Sequence, residues 1–210
     1  DFIVPKSVVI GTEVFNEFNV RNDLDKFIHE NESDDDVDAA FKASSFSEDI
    51  IEDLSVMLEN TSWPLAIRSS SLLEDASHQP FAGVYATHML ANDHPDISVR
   101  LRRLLEAIKL VYASTYHRGA KAYVSATPNS IEDEQMAVVV QELVGNEVNG
   151  RFYPQISGAA RSHNHYPVAP LESEDGMAAI CIGLGRQVAM GGKCLRYSPG
   201  QPKRIHQFHS

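Results

Sequence analysis

The feature that most limits the fold of this chain is the stretch of residues 136–144, which reads MAVVVQELV. It is almost continuously apolar and rich in β-branched side chains, which is typical of a strand buried on both faces rather than of an edge strand. We therefore expect a sheet in which this segment is the central strand, covered on both sides by other parts of the chain.

Helical and extended patterns alternate along the rest of the chain. Apolar residues recur at helical spacing after Ser47 and, over the longest run, after Asp96, and both residues are suitable N-caps. Short strands bounded by glycine, proline or polar loops are predicted at residues 7–12, 65–68, 84–87, 156–161 and 177–182. The mixture predicts an α+β fold.

Composition excludes several classes of protein. The 210 residues are 43% hydrophobic and 22% charged, which excludes wholesale disorder. The net charge of −11 argues against nucleic acid or an anionic membrane as the main partner. No apolar run approaches the ~20 residues of a membrane span, and no signal peptide is visible. With two cysteines and no disulfide framework, we expect a cytoplasmic location, and a chain beginning with Asp is expected to be a piece of a longer one.

A candidate anion site surrounds the segment IRSSS, which begins at Ile67 and is followed by a polar loop and by the segment FAGVYAT. The guanidinium of Arg68, at the end of a strand, can meet phosphate oxygens with two parallel donors. Gly83 would let backbone N–H groups approach the same anion, because no Cβ is in the way. The alternative is a structural ion pair between Arg68 and Glu74 or Asp75.

A second candidate site lies at the end of the central strand, over Gln141, Glu142, Leu143 and Val144. The simplest interpretation is a core strand. A functional interpretation is compatible with it, because the backbone C=O and N–H groups of a strand that leaves a sheet can pair with the edge of an adenine ring.

Two further patterns carry less information. Gly183 and Gly185 are followed by Val188 where a dinucleotide fingerprint needs a third glycine, and no Gly-Lys-Ser/Thr follows, so neither a Rossmann nor a P-loop site is indicated. His163 and His165 would share one face of a strand. Such spacing can hold a metal, but no cysteine or acid follows at a suitable distance, and the metal ligands stay unknown.

Taken together, these segments resemble the N-terminal ATP-binding region of phosphoenolpyruvate synthase and pyruvate phosphate dikinase. FIVPKSVVIGTEVF at the start is similar to the family's F-x-V-P-x-G-F-V-I-T-T-x-A-F, and LAIRSS is similar to A-V-R-S-S. The family's E-D…F-A-G…T is similar to the acid pair Glu74 and Asp75, the triplet that ends at Gly83, and Thr87. MAVVVQELV resembles M-A-V-V-V-Q-x-M-V, and the segment from Ser157 to Asn164 resembles S-G-V-x-F-T-x-N. The matches occur in the family's order over nearly the whole chain.

The resemblance implies one ATP-binding domain over residues 1–210, with an ATP-grasp-like fold of two α+β subdomains that is incomplete at its N-terminus. It implies that Arg68 is the catalytic residue that contacts the phosphates of ATP and that Gly83 lies in the loop over them. It also implies adenine binding along residues 141–144, a Mg²⁺ ion between phosphate oxygens, and a looser match of Arg196 to another phosphate-binding arginine. Ser69 and Thr87 complete the expected set.

The function implied is phosphoryl transfer from ATP to a histidine on a separate, swivelling domain, and from there to pyruvate. The phosphohistidine and pyruvate-binding domains would belong to the same parent chain, and this piece alone would turn over little ATP. Two alternatives stay open. A nucleotide-binding regulatory module without phosphotransfer is suggested by Ala178 and Ala179, which stand where a metal-binding carboxylate is expected. The other alternative is a dikinase with a different acceptor.

Overall fold

In the computed structural model of the chain, residues 2–29, 32–71, 84–127, 130–189, 192–203 and 205–206 are described. The contacts within the chain divide it into two compact units, Asp1–Leu143 and Val144–Ser210, called here the first and the second unit. Within the described ranges, no helix combines the length and the apolar character that a bilayer crossing requires.

The first unit combines one sheet with helices. Its four strands are β1 (Ser7–Ile10), β2 (Leu65–Ser71), β3 (Thr87–Leu90) and β4 (Met136–Glu142). Its α-helices are α1 (Thr12–Arg21), α2 (Asp34–Ala43), α3 (Glu48–Glu59), α4 (Ile97–Ser114) and α5 (Arg118–Ser125). The strands lie in the order β1-β4-β2-β3, and each neighbouring pair is antiparallel. The mixture of helix and sheet confirms the predicted α+β class.

The helices pack on one face of this sheet. Along β4, side chains alternate between the two faces, so that Met136, Val138 and Val140 are buried while Ala137 and Val139 are only partly buried. The prediction of a central strand is therefore confirmed. The prediction of full burial on both of its faces was wrong, because the described helices of the first unit pack against the side of Met136, Val138 and Val140.

An aromatic cluster joins the helices beneath the sheet. Phe15 of α1 meets Tyr112 of α4 edge-on, with ring centroids 4.9 Å apart, and Phe18 packs against Phe46 at 4.5 Å. Such aromatic pairs stabilise the folded state by more than the burial of their apolar area alone. α4 runs through the middle of this core, and its N-terminus is capped as predicted, because the Asp96 carboxylate accepts a hydrogen bond from the Ser98 N–H.

The predicted strand at residues 84–87 is displaced along the chain. β3 begins at Thr87, where that strand was expected to end. The reason lies in α4: the N–H of Ala86 donates to the Ser114 hydroxyl, and Tyr85 is buried in the core. The residues before Thr87 are thereby bound to the helix layer instead of the sheet ladder.

The second unit begins with a two-stranded hairpin, β5 (Asn146–Val148) and β6 (Arg151–Tyr153). Its turn residues, Asn149 and Gly150, have φ angles of 53° and 73°, which is the Asn-Gly combination that two-residue hairpins favour. A second sheet follows in the antiparallel order β10-β9-β8-β7. It contains β7 (Ile156–Arg161), β8 (Met177–Ile182), β9 (Leu195–Tyr197) and β10 (Ile205–His206), and the short helix α6 (Arg186–Ala189) lies between β8 and β9.

The packing of α4 gives a direct test of the core. Val111 is fully buried in α4, whereas Val56 of α3 is 52% exposed. We expect Val111→Ala to lower the free energy of unfolding by roughly 1–3 kcal/mol, because it removes buried methyl groups and leaves a cavity. Val56→Ala makes the same change in helix propensity and should stay within about 0.5 kcal/mol of the wild type. Urea unfolding followed by circular dichroism measures both, and equal losses would contradict the described core.

Candidate functional site

Arg68 lies in the interior strand β2, on the face of the sheet that the helices leave uncovered. Its cross-strand neighbours are Thr87 of β3 and Val139 of β4, and Val9 of β1 follows in the same row. The side chain of Arg68 is exposed, and no carboxylate of the described residues lies within ion-pair distance of its guanidinium. Gly83 and the alternative partners Glu74 and Asp75 lie outside the described residues.

The uncovered face, called here the open face, combines apolar and polar side chains in equal number. Strand alternation assigns to it Ser7, Val9, Ala66, Arg68, Ser70, Thr87, Met89, Ala137, Val139 and Gln141. Val9 is 63% and Met89 51% exposed, although solvated sheet faces usually carry polar side chains. Among these residues Arg68 is the one charged group. The arrangement suits a ligand with a flat apolar part and an anionic part.

Strand alternation divides the predicted site residues between the two faces of the sheet. Arg68, Thr87 and Gln141 share the open face, where the Gln141 amide donates to the Ser7 hydroxyl at 3.0 Å. Ser69 stands opposite Val138, and Glu142 opposite Leu65, so both side chains lie on the helix-packed face. The side chains of Ser69 and Glu142 therefore do not contribute to the open face.

The backbone at the end of β4 is already engaged within the first unit. The N–H of Leu143 donates to the carbonyl of Pro64 at 2.8 Å, and the carbonyl of Leu143 accepts from the indole N–H of Trp63. The N–H of Glu142 donates to the Lys6 carbonyl. An adenine edge could accept a bond from the Leu143 N–H only after displacing the bond to Pro64, whereas the Leu143 carbonyl has a second lone pair for another donor. Val144, the first residue of the second unit, is 63% exposed.

Trp63 is held by a group of polar contacts that the sequence did not reveal. The side-chain amide of Asn92, a buried residue with φ 53°, donates to the carbonyls of Thr61 and Trp63. The Arg100 guanidinium of α4 donates to the same Thr61 carbonyl at 2.8 Å and to that of Leu58 at 3.2 Å. The two side chains thus bind carbonyls at the end of α3 and in the segment between α3 and β2.

The second unit has a pocket of its own, of about 420 Å³, at one end of its sheet. Arg196 of β9, opposite Ala179 of β8, lines it together with Arg161 at the end of β7. Its other walls include His163, Asn164, His165, Tyr166 and Met177. Two guanidinium groups and two imidazoles around one cavity favour an anionic ligand. The resemblance had indicated Arg196, whereas Arg161 becomes visible as a site residue only through the fold.

His163 and His165 are brought together by a loop. The prediction of neighbouring imidazoles on a strand is wrong about the element, because β7 ends at Arg161. Between the histidines, buried Asn164 donates its N–H to the Ser173 carbonyl and accepts from the Tyr166 N–H. This anchor holds the loop so that the two rings lie edge to face with centroids 4.8 Å apart.

The described part of the chain does not contain a set of groups that suits a protein-bound metal. No three His, Cys, Asp or Glu side chains in it lie close enough together to hold an ion. Asp175, next to the expected position of the carboxylate, accepts from the Glu172 N–H and the Gln201 amide. Ala178 and Ala179 are buried in β8. These residues do not fit Mg²⁺.

Comparison with known proteins identifies the family of the chain. Residues 2–202 match the family described as the AMP/ATP-binding domain of pyruvate phosphate dikinase. The chain belongs to this family. The chain is also similar to "Uncharacterized phosphotransferase YvkC" of Bacillus subtilis (strain 168), with 26% identity over 153 residues. That alignment covers 71% of this chain and 17% of the relative, so the chain spans a small part of the relative's length.

The pocket of the second unit predicts anion binding that depends on its two arginines. We expect Arg161→Ala and Arg196→Ala each to weaken binding of inorganic tripolyphosphate by roughly 10- to 100-fold, because a charge-assisted hydrogen bond contributes ~1.5–3 kcal/mol. Arg151→Ala, an exposed arginine of β6 outside the pocket, removes the same charge from the second unit and should change little. Titration calorimetry at low salt measures the three affinities. Equal losses in all three variants would mean non-specific attraction.

Proposed function

We propose that this chain is the ATP-binding module of a dikinase-type, ATP-dependent phosphotransferase. The observation that carries the proposal is the position of Arg68, exposed beside Thr87 within the open face of a chain that belongs to the AMP/ATP-binding domain family. The relative's designation as a phosphotransferase supports the same class.

Arg68 is proposed to bind the phosphates of ATP. Its planar guanidinium offers paired donors to phosphate oxygens, and the hydroxyl of Thr87, directly opposite on β3, can donate a further hydrogen bond. Phosphoryl transfer needs little covalent participation by the protein and depends on positioning and on stabilising the charge that develops on the phosphate oxygens. A fixed cation on a strand supplies both.

The adenine is proposed to lie against the apolar part of the open face, where Val9, Val139 and Met89 are accessible. Covering these side chains with a flat ring removes apolar surface from water, which is favourable. Because the N–H of Leu143 is engaged, recognition of the base edge is assigned to the Gln141 amide. The amide can both donate and accept hydrogen bonds.

The second unit is proposed to contribute a phosphate-binding surface of its own, formed by Arg196 and Arg161. The two units would then correspond to the two subdomains of an ATP-grasp-type domain over residues 1–210. Phosphate oxygens and water would hold the Mg²⁺ that accompanies ATP, since the described residues offer no set of carboxylates for it.

For the parent chain we propose transfer of a phosphoryl group from ATP to a histidine on a separate domain, followed by transfer to pyruvate. Since the family match accounts for residues 2–202, the histidine and the pyruvate site would lie on other domains of that parent. The present chain would bind ATP with little turnover. A dikinase that uses the same ATP module with another acceptor is the nearest variant of this proposal.

The proposal predicts that ATP binding depends on Arg68. We expect Arg68→Ala to weaken ATP binding by roughly 10- to 100-fold, because a charge-assisted pair is lost. Arg68→Lys keeps the charge but loses the paired donors, so its affinity for ATP should lie between those of the wild type and Arg68→Ala. Arg21→Ala removes the same charge from a surface ion pair of α1 and serves as the control. Titration calorimetry with Mg·ATP decides, and unchanged affinity in Arg68→Ala would remove Arg68 from the site.

A second candidate function is a nucleotide-binding regulatory module without phosphotransfer. It is favoured by buried Ala178 and Ala179 at the position expected for a metal carboxylate. Incubating the full-length parent with ATP labelled at the β-phosphate separates the two. Label on a histidine, stable to base and labile to acid, is expected for the phosphotransferase, whereas binding without label would support the regulatory module.

A further inference from the structure

The observed pairing of β8 with β9 ends one position short of the two cysteines of the chain, Cys181 in β8 and Cys194 directly before β9. Ala179 stands opposite Arg196, and Ile180 opposite Leu195. Continuing this antiparallel register by one position places Cys181 opposite Cys194. Both are free thiols, and both are partly exposed.

Directly opposed residues of an antiparallel pair have Cα atoms about 4.5–5.5 Å apart. Disulfides span Cα separations of roughly 4.4–6.8 Å. Side chains at opposed positions also lie on the same face of the sheet. Rotation of the side chains, with small adjustments of the backbone, is therefore enough to bring the two sulfur atoms into bonding distance.

We propose that Cys181 and Cys194 form a reversible intramolecular disulfide when the protein meets a low-molecular-weight disulfide such as oxidised glutathione. One protein thiolate attacks a glutathione sulfur, which forms a mixed disulfide and releases one glutathione thiolate. The second protein thiolate attacks the protein sulfur of that mixed disulfide and releases the other glutathione. Two protein thiols are oxidised, and one glutathione disulfide is reduced to two thiols.

The bond would close the connection between β8 and β9, which contains α6, and would tether the start of β9. Cys194 directly precedes β9, and Arg196 follows it by two positions, so alternation continued by one residue would place both side chains on one face. The linkage thus lies next to a residue that lines the pocket of the second unit. The proposal concerns the thiols themselves and does not depend on nucleotide binding.

The test treats the whole chain with oxidised glutathione at mildly alkaline pH and then blocks the remaining thiols with an alkylating reagent. Trypsin cleaves after Arg161, Arg186, Lys193 and Arg196, so Cys181 and Cys194 fall in different peptides. We expect the peptide of residues 162–186 to be linked to the peptide of residues 194–196 without reduction, and the link to disappear on reduction. No link should form between two chains, and the protein should carry no glutathione.

Cys181→Ser and Cys194→Ser are matched controls. Each leaves one thiol without a resolving partner, so we expect each variant to retain one glutathione adduct. Adducts that persist on wild-type protein, alkylated thiols at both positions after the treatment, or links between two chains would each overturn the proposal. Failure of the single variants to react would overturn it as well, because the thiols would then be out of reach of the oxidant.

Discussion

The burial of one sheet face by helices is the constraint on which the rest of the first unit depends. Side chains on a strand alternate, so fixing Ile67 in the core against α4 necessarily directs Arg68 to the other side. Turning β2 by one position would bury a guanidinium without a partner, at a cost of several kcal/mol. The core therefore fixes both the register of the sheet and the exposure of the one cation on its open face.

The sequence predicted the strands and helices of the fold better than it predicted which of their faces are covered by other elements. The apolar run of β4 predicted a central strand, and its position between β1 and β2 confirms this. How much of each face is covered depends on which helices pack there, and periodicity within one segment contains no such information. The displacement of β3 has a similar origin, because Ala86 is bound by Ser114, a residue distant in sequence.

In the candidate site, likewise, the sequence predicted individual residues but not how they are arranged. The IRSSS segment identified Arg68, but the row that it forms with Thr87 and Val139 follows from strand pairing. The second-unit pocket could not be predicted, because Arg161 lines it only when β7 pairs with β8 and the loop after β7 closes over the sheet. Ser69 was assigned to the site from its neighbour in sequence, whereas alternation separates the two side chains.

Trp63 is the single tryptophan of the chain, and its indole bonds to the carbonyl of Leu143, the last residue of the first unit. Indole emission responds to the hydrogen bond at its nitrogen and to contact with water. The chain also contains seven tyrosines, but excitation at wavelengths that indole alone absorbs makes the emission an optical signal from one place, the end of β4. The molecule thus contains a label-free reporter of any ligand that disturbs that strand end.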